Sequence, residues 1–169
     1  MAARRYLIAL GSNQRHHRHG APAKVLRAAL AALEGEHIRV EAVSPIIASA
    51  PLGHAKRRYA NAAAIVNSRH LPKELLAYLK EVERSFGRKR GGRRWNSRVL
   101  DLDIVLWQGG SWSSPGLTVP HVAFRARGFV LTPAAAIAAH WRDPVTRLTI
   151  KQLQSRLTRP RPLPRCTPW

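Results

Sequence analysis

Acidic residues are scarce in this chain: nine aspartates and glutamates stand against 29 lysines and arginines in 169 residues, a formal net charge of +20. Such a balance points to anionic ligands or surfaces, but the cations are spread along the whole chain, so part of the charge serves only solubility and nonspecific attraction to polyanions. Cysteine is nearly absent. The single Cys166 excludes an internal disulfide framework and fits a reducing cytoplasm. Long apolar runs are also missing. The N-terminal run from Tyr6 to Leu10 is too short for a signal-peptide core or a membrane span, so a cytoplasmic protein without a membrane partner is expected. Apolar content of 45% is that of a folded protein, and the length suits one domain with a single core.

Against this acid-poor background, two aspartates fall one residue apart in Leu-Asp-Leu-Asp-Ile-Val-Leu (100–106), the most strand-like run of the chain. Side chains alternate across a strand, so Asp101 and Asp103 share one face, while Leu100, Leu102, Ile104 and Leu106 are expected on the other. Two like charges on one face of a strand repel, and aspartate is disfavoured there, so the pair calls for compensation. A divalent cation supplies it: carboxylates roughly 6.5–7 Å apart at Cβ can bracket two Mg²⁺ ions about 3.5–4 Å apart. A half-solvated face neutralised by nearby arginines would also satisfy the charges.

Residues 84–98, Arg-Ser-Phe-Gly-Arg-Lys-Arg-Gly-Gly-Arg-Arg-Trp-Asn-Ser-Arg, deliver cations right beside that pair. Arginine presents a planar fork of donors matched to phosphate oxygens, and glycines let such a loop rearrange. Carboxylates and cations together suggest a polyphosphate with its metal ions, whereas the loop alone could equally be a solvated connection or a nucleic-acid patch. Two further features stand nearby. Tyr59 and Asn61 alternate with Ala60 and Ala62, so ring and amide share a strand face, suited either to a flat heterocycle or to the protein's own interior. Glu83 falls on the inward stripe of its helix, where an acid needs a cation or donor, from the following loop or from a ligand.

Strands and helices alternate along the chain. Tyr6–Leu10 reads as a buried strand. Pro22 opens a helix with Val25, Leu26, Ala29, Leu30 and Leu33 on one stripe, ended near Gly35. A β-rich stretch covers 38–48, a second strand 59–66, and a helix from Pro72 buries Leu75, Leu76, Leu79, Val82 and Phe86 before Gly87. After the Asp-Leu-Asp strand, 108–119 suggests a turn and return strand, and 127–139 a shorter helix that includes Pro133. The order β-α-β-β-α-β predicts an α+β, ferredoxin-like sandwich: an antiparallel sheet with helices on one face, plus an extra C-terminal hairpin and helices. Residues 1–157 are read as one domain. Residues 158–169, basic and proline-rich, are read as a disordered tail. His16, His17 and His19 could bind a transition metal, but on a loop they read more simply as a solvated basic stretch.

An ordered series of motifs now accumulates: Gly11-Ser12-Asn13, Pro51-Leu52-Gly53, Tyr59-x-Asn61-Ala62, Glu83, Gly87-Arg88-x-Arg90, Arg93-Arg94-Trp95-x-x-Arg98, Leu100-Asp-Leu-Asp-Ile104, Pro120-His121 and Arg127-x-Phe129-Val-Leu131. The series resembles the 6-hydroxymethyl-7,8-dihydropterin pyrophosphokinases of folate biosynthesis from about Tyr6 to Arg147. The resemblance implies a magnesium-dependent transfer of pyrophosphate from ATP, the co-substrate, to the hydroxymethyl oxygen of the pterin, releasing AMP. It implies that Asp101 and Asp103 hold two Mg²⁺ ions and that Arg88 and Arg98 act on the phosphates, accompanied by Trp95. His121 and Arg127 would bind the nucleotide, with Glu83 a site residue of unsettled role. The pterin would lie between Tyr59 and Phe129, read by Asn61 and by the chain around Ser49, Ala50 and Leu52. The chain departs from the family pattern at Asn96-Ser97, where Gly-Pro is usual, and at Ala50, Val122 and Ala136. It would act as a monomer on small molecules, with no specific nucleic-acid partner.

Two rival readings have distinct signatures. A basic ferredoxin-like sheet also serves RNA-binding modules, which carry clustered aromatics of the Arg-Gly-Phe-x-Phe type on a central strand. Here the corresponding strand carries Asp101 and Asp103, which would repel a nucleic-acid backbone. A catalytically weakened pterin-binding paralogue would bind the same ligands without turning over nucleotide.

Overall fold

The computed structural model describes residues 3–50, 57–87 and 98–160. The opening apolar run extends into a nine-residue strand, β1 (Arg4–Ser12). Pro22, whose missing N–H costs nothing in a first turn, starts α1 (Pro22–Leu33), which buries Val25, Leu26, Ala29 and Leu33 along one stripe. The β-rich stretch divides into β2 (Ile38–Val43) and β3 (Ile47–Ser49). Ser44 makes the break: its Oγ donates to the Pro45 carbonyl and accepts the Ala63 N–H, replacing sheet bonds with a side chain. Both strands pair antiparallel with β4 (Tyr59–Ser68).

Helix α2 (Pro72–Ser85) begins with Pro72 in its first turn and with the Glu74 carboxylate accepting the Leu71 N–H at 2.7 Å. It stops at Gly87, whose φ of 85° is open to glycine at no steric cost. Next comes β5 (Asp101–Trp107), which pairs with β1. The sheet order is β2-β4-β1-β5 with β3 also on β4, all antiparallel, and with α1 and α2 this is the expected ferredoxin-like arrangement.

Helices cover both faces of the sheet rather than one. Helices α1 and α2 pack on the face carrying Tyr6, Ile8, Leu10, Ala62, Ala64 and Val66. The opposite face, with Leu7, Ala63 and Ile65, is closed by α3 (Gly128–Ala138) and α4 (Ile150–Thr158). Thr149 caps α4 and exchanges bonds with Gln152, so this helix starts at a capping box. Residues 108–119 form the extra hairpin, β6 (Trp112–Ser114) with β7 (Leu117–Val119), a two-stranded sheet separate from the main one.

Leu106 also corrects the simple alternation expected of β5. Leu7 pairs with Leu106 but Ile8 pairs with Ile104, so Val105 is an extra residue on β5. Such a bulge shifts parity by one. Leu102 and Ile104 therefore face α1 and α2, whereas Val105 and Leu106 both face α3 and α4. The aspartates precede the bulge and keep their common face.

A buried ion pair ties the second helical layer together. Asp143 has no exposed side-chain surface and accepts two 2.7 Å bonds from Arg125, which belongs to a short 3₁₀ turn, Phe124–Ala126. The Val145 and Thr146 N–H groups and the Thr146 hydroxyl also donate to it. Burial opposes ionisation, but the bonds from Arg125 and Thr146 outweigh it and hold the carboxyl at about 2. Because the folded pKa lies below the unfolded value of about 4, the stabilisation is complete above about pH 4 and is lost as pH falls toward 2. Asp143→Asn is expected to cost about 2 kcal/mol at pH 7. Urea denaturation of both proteins between pH 7 and pH 2.5 checks this, with the gap narrowing toward the acid end.

Candidate active site

Strand register assembles the site. On the face toward α3, Gly11 of β1 lies between Asn61 of β4 and Asp101 of β5, and Ala9 lies between Ala63 and Asp103. The central strand therefore contributes only a hydrogen atom and a methyl group between functional side chains on either side. A Cβ at Gly11 would come within 3.5 Å of Asn61 Oδ1. Above this floor is a cavity of about 320 Å³ lined by Ser49, Tyr59, Asn61, Arg98, Asp101, Asp103, His121, Arg127, Phe129 and Val130. A second cavity of about 370 Å³, between α2 and the β6–β7 hairpin, is lined by Leu76, Lys80, Ile104, Thr118 and Val122. Asp103 and His121 border both.

The charged groups meet at that junction. Arg98 Nη1 donates to Asp101 Oδ1 at 2.6 Å. Burial disfavours the Arg98 charge, but Asp101, with help from Asp103, outweighs it and raises the guanidinium pKa. Asp103 makes no ion pair among the described residues. Burial, aided by Arg127, lowers the pKa of His121 against the pull of Asp103 and Asp101, so the ring is neutral at pH 7. Its Nδ1 accepts the Ala123 N–H at 3.2 Å, which leaves the proton on Nε2.

The other wall is aromatic and uncharged. Burial, with Asp101 adding and Arg98 opposing, raises the Tyr59 pKa and keeps the phenol neutral. Phe129 sits in the first turn of α3, and the Arg127 guanidinium lies 5.8 Å from its ring centre. Asn61 is buried and spends one N–H on Ser49 Oγ at 2.8 Å.

Glu83 borders neither cavity. Fully buried, it accepts the Leu102 N–H at 2.7 Å and a bond from Lys80 at 2.9 Å, so α2 holds β5 at the residue between the two aspartates. Ala50 is exposed and lines neither cavity. Leu52, Arg88, Trp95 and the tail beyond residue 160 lie outside the described residues.

The histidine loop is solvated at Arg15, His17 and Arg18, but His16 is turned inward. His16 is buried, its Nδ1 accepts the N–H groups of Arg18 and His19, and its ring packs with His17, His19 and Phe86. Among the described residues no group of three or more His, Cys, Asp or Glu side chains is placed to hold a metal ion. The aspartate pair nevertheless suits Mg²⁺, which takes hard oxygen ligands and is commonly held by one or two carboxylates completed by phosphate and water.

The family model for 7,8-dihydro-6-hydroxymethylpterin-pyrophosphokinase matches residues 7–139. The chain belongs to this family. The pyrophosphokinase match runs from β1 through α3 and takes in every described residue lining the 320 Å³ cavity. The chain is 40% identical over 142 residues to 2-amino-4-hydroxy-6-hydroxymethyldihydropteridine pyrophosphokinase of Pseudomonas aeruginosa, covering 83% of this chain and 84% of that one. The enzyme of the same name from Haemophilus influenzae is 37% identical over 134 residues, 78% of this chain and 80% of the relative. Among solved structures, wild-type HPPK-DHPS of Plasmodium falciparum superposes with a TM-score of 0.72 at 12% identity. That match covers 91% of this chain, which spans 41% of the Plasmodium chain, and it speaks for the fold alone.

Some parts of the pyrophosphokinase site escaped sequence reasoning. Ala9 and Val130 carry no chemistry and line the cavity only through register and helix packing. Gly11 had a signal, since it opens the Gly11-Ser12-Asn13 motif, but its use as the gap between Asn61 and Asp101 needed the strand order.

Proposed function

We propose that this pyrophosphokinase transfers the terminal pyrophosphate of ATP to the hydroxymethyl oxygen of 6-hydroxymethyl-7,8-dihydropterin in folate biosynthesis. The hydroxymethyl oxygen attacks the β-phosphorus and gives up its proton to water, the bond from that phosphorus to the oxygen bridging the α-phosphate breaks, and AMP leaves with that oxygen. One observation carries the reading: two cavities, one aromatic with an amide and one beside it, share Asp103 and His121 as their common wall. Two substrates bound in them would meet at Asp103.

In this reading the pterin lies between Tyr59 and Phe129, and the amide of Asn61 reads its edge. ATP enters the second cavity, and its phosphates run past His121 and Arg127. A neutral His121 donates a hydrogen bond from Nε2 without adding a charge that pH would remove. Asp101 and Asp103 would hold Mg²⁺, two ions by the family resemblance, which neutralise phosphate charge and align the displacement when bound. Arg98 sits where charge develops on the transferring phosphates, and Arg88 and Trp95 are assigned to the same task. The excess of cations raises the local concentration of a polyanionic substrate. No helix among the described residues is long and apolar enough to cross a membrane. We assign the protein to the cytoplasm as a monomer acting on small molecules. Asp101 and Asp103 on the sheet argue against an RNA platform.

The deciding assay mixes the protein with ATP, Mg²⁺ and the pterin and separates the nucleotides. AMP and the pterin pyrophosphate are expected only when all are present, whereas ADP would indicate an ordinary kinase and no turnover a weakened paralogue. Asn61→Ala is expected to weaken pterin binding by about 1–3 kcal/mol, the cost of a lost buried partner, and to leave ATP binding nearly unchanged. Calorimetric titration with the pterin and with a nonhydrolysable ATP analogue reads both. Equal losses for the two ligands would remove the separation of subsites.

A further inference from the structure

Asn13 lines neither cavity, yet both its main chain and its side chain are spent on one residue of the site. Its N–H donates to the Arg98 carbonyl at 3.1 Å, and its Oδ1 accepts the Arg98 N–H at 2.8 Å. The residue is 1% exposed, and among the described residues its Nδ2 has no hydrogen-bond partner. A buried amide donor left unpaired costs stability, so the use of this side chain lies in Oδ1. The orientation is not arbitrary, because a flipped amide would set its NH₂ against the Arg98 N–H, donor against donor.

Asn13 directly follows β1, the central strand whose Ala9 and Gly11 floor the cavity. The two bonds therefore fix the Arg98 peptide to the most constrained element of the fold on both its N–H and its C=O side. Beyond that anchored peptide, the side chain reaches 2.6 Å from Asp101. An arginine side chain has many rotamers to lose, so the position and direction of its root decide how often its head meets its target. The same segment contacts the other end of the basic stretch, since the His16 and His19 rings lie 5.8 and 5.0 Å from Phe86.

We propose that Asn13 is the positioning residue for Arg98, holding the Arg98 peptide so that its guanidinium enters the aspartate junction from a preset root. The inference rests on the role given to Arg98 under Proposed function. Asn13 touches no substrate. It acts on the rate of transfer and not on the pterin: among the described residues it makes no hydrogen bond to Tyr59, Asn61 or Phe129.

The test measures single-turnover AMP formation and pterin affinity for Asn13→Ala, Arg98→Ala and the double variant Asn13→Ala with Arg98→Ala. Asn13→Ala is expected to slow transfer roughly tenfold or more, as a misplaced positioning group does, with pterin affinity within about twofold of the parent. In the Arg98→Ala background the same replacement should change the rate less than about twofold, because the group it serves is gone. If Asn13→Ala does not fold, Asn13→Ser, whose hydroxyl falls short of the Arg98 N–H, carries the same expectations. Parental rates in Asn13→Ala, equal losses in both backgrounds, or a loss of pterin affinity in step with rate would overturn the inference. An Arg98→Ala enzyme at the parental rate is a separate outcome: it would overturn the role of Arg98 itself, and the inference with it.

Discussion

Replacing either Asp101 or Asp103 by alanine is expected to cut AMP formation by roughly a thousandfold or more, since each removes an oxygen ligand on which metal-assisted displacement depends. Folding should survive both changes. Asp103 has no ion pair among the described residues, and its removal relieves repulsion between like charges on one strand face. Asp101→Ala also frees Arg98, but that pair is partly exposed, at 34% and 24%, and pairs of this kind contribute about 1 kcal/mol or less. Single-turnover assays with saturating Mg²⁺, beside thermal melts of the metal-free proteins, separate chemistry from stability. Near-parental turnover in either variant would sink the assignment of the pair as metal ligands.

Arg98→Ala should produce the next largest loss, on the order of a hundredfold in the transfer step, typical of removing a preorganised group that stabilises transition-state charge. Pterin affinity should barely change. The pairing with Asp101 adds a second expectation. While bound there, the guanidinium competes with any cation for that carboxylate, so Arg98→Ala should bind Mg²⁺ alone more tightly than the parent. Mg²⁺ titration followed by calorimetry, without nucleotide, reads this independently of turnover. An unchanged Mg²⁺ affinity would mean that Arg98 and the metal ion do not share Asp101.

Much of the site was legible in short stretches of the chain because strand alternation is a local rule. Asp101 with Asp103, and Tyr59 with Asn61, had to share a face once their segments were strands, and all four line one cavity. Helices α1 and α2 were legible for the same kind of reason, an apolar stripe between a proline and a glycine. Glu83 was recognisable as an inward acid from helix period, but not its bond to Leu102, nineteen residues away.

What sequence by itself determined, then, was which side chains stand together within an element and which family's motifs they spell. Tertiary structure alone decided how elements align. The bulge at Val105 turned Leu106 to the opposite layer, the register of β1 set Gly11 and Ala9 between the amide and the aspartates, and α3 with α4 closed the second face. Asn13 found Arg98 across 85 residues, and Asp143 found Arg125 across 18. The physical reason is common to all of these. Local periodicity follows from backbone geometry and is written in neighbouring residues, whereas register and long-range pairing are settled by packing and by the need of every buried polar group for a partner.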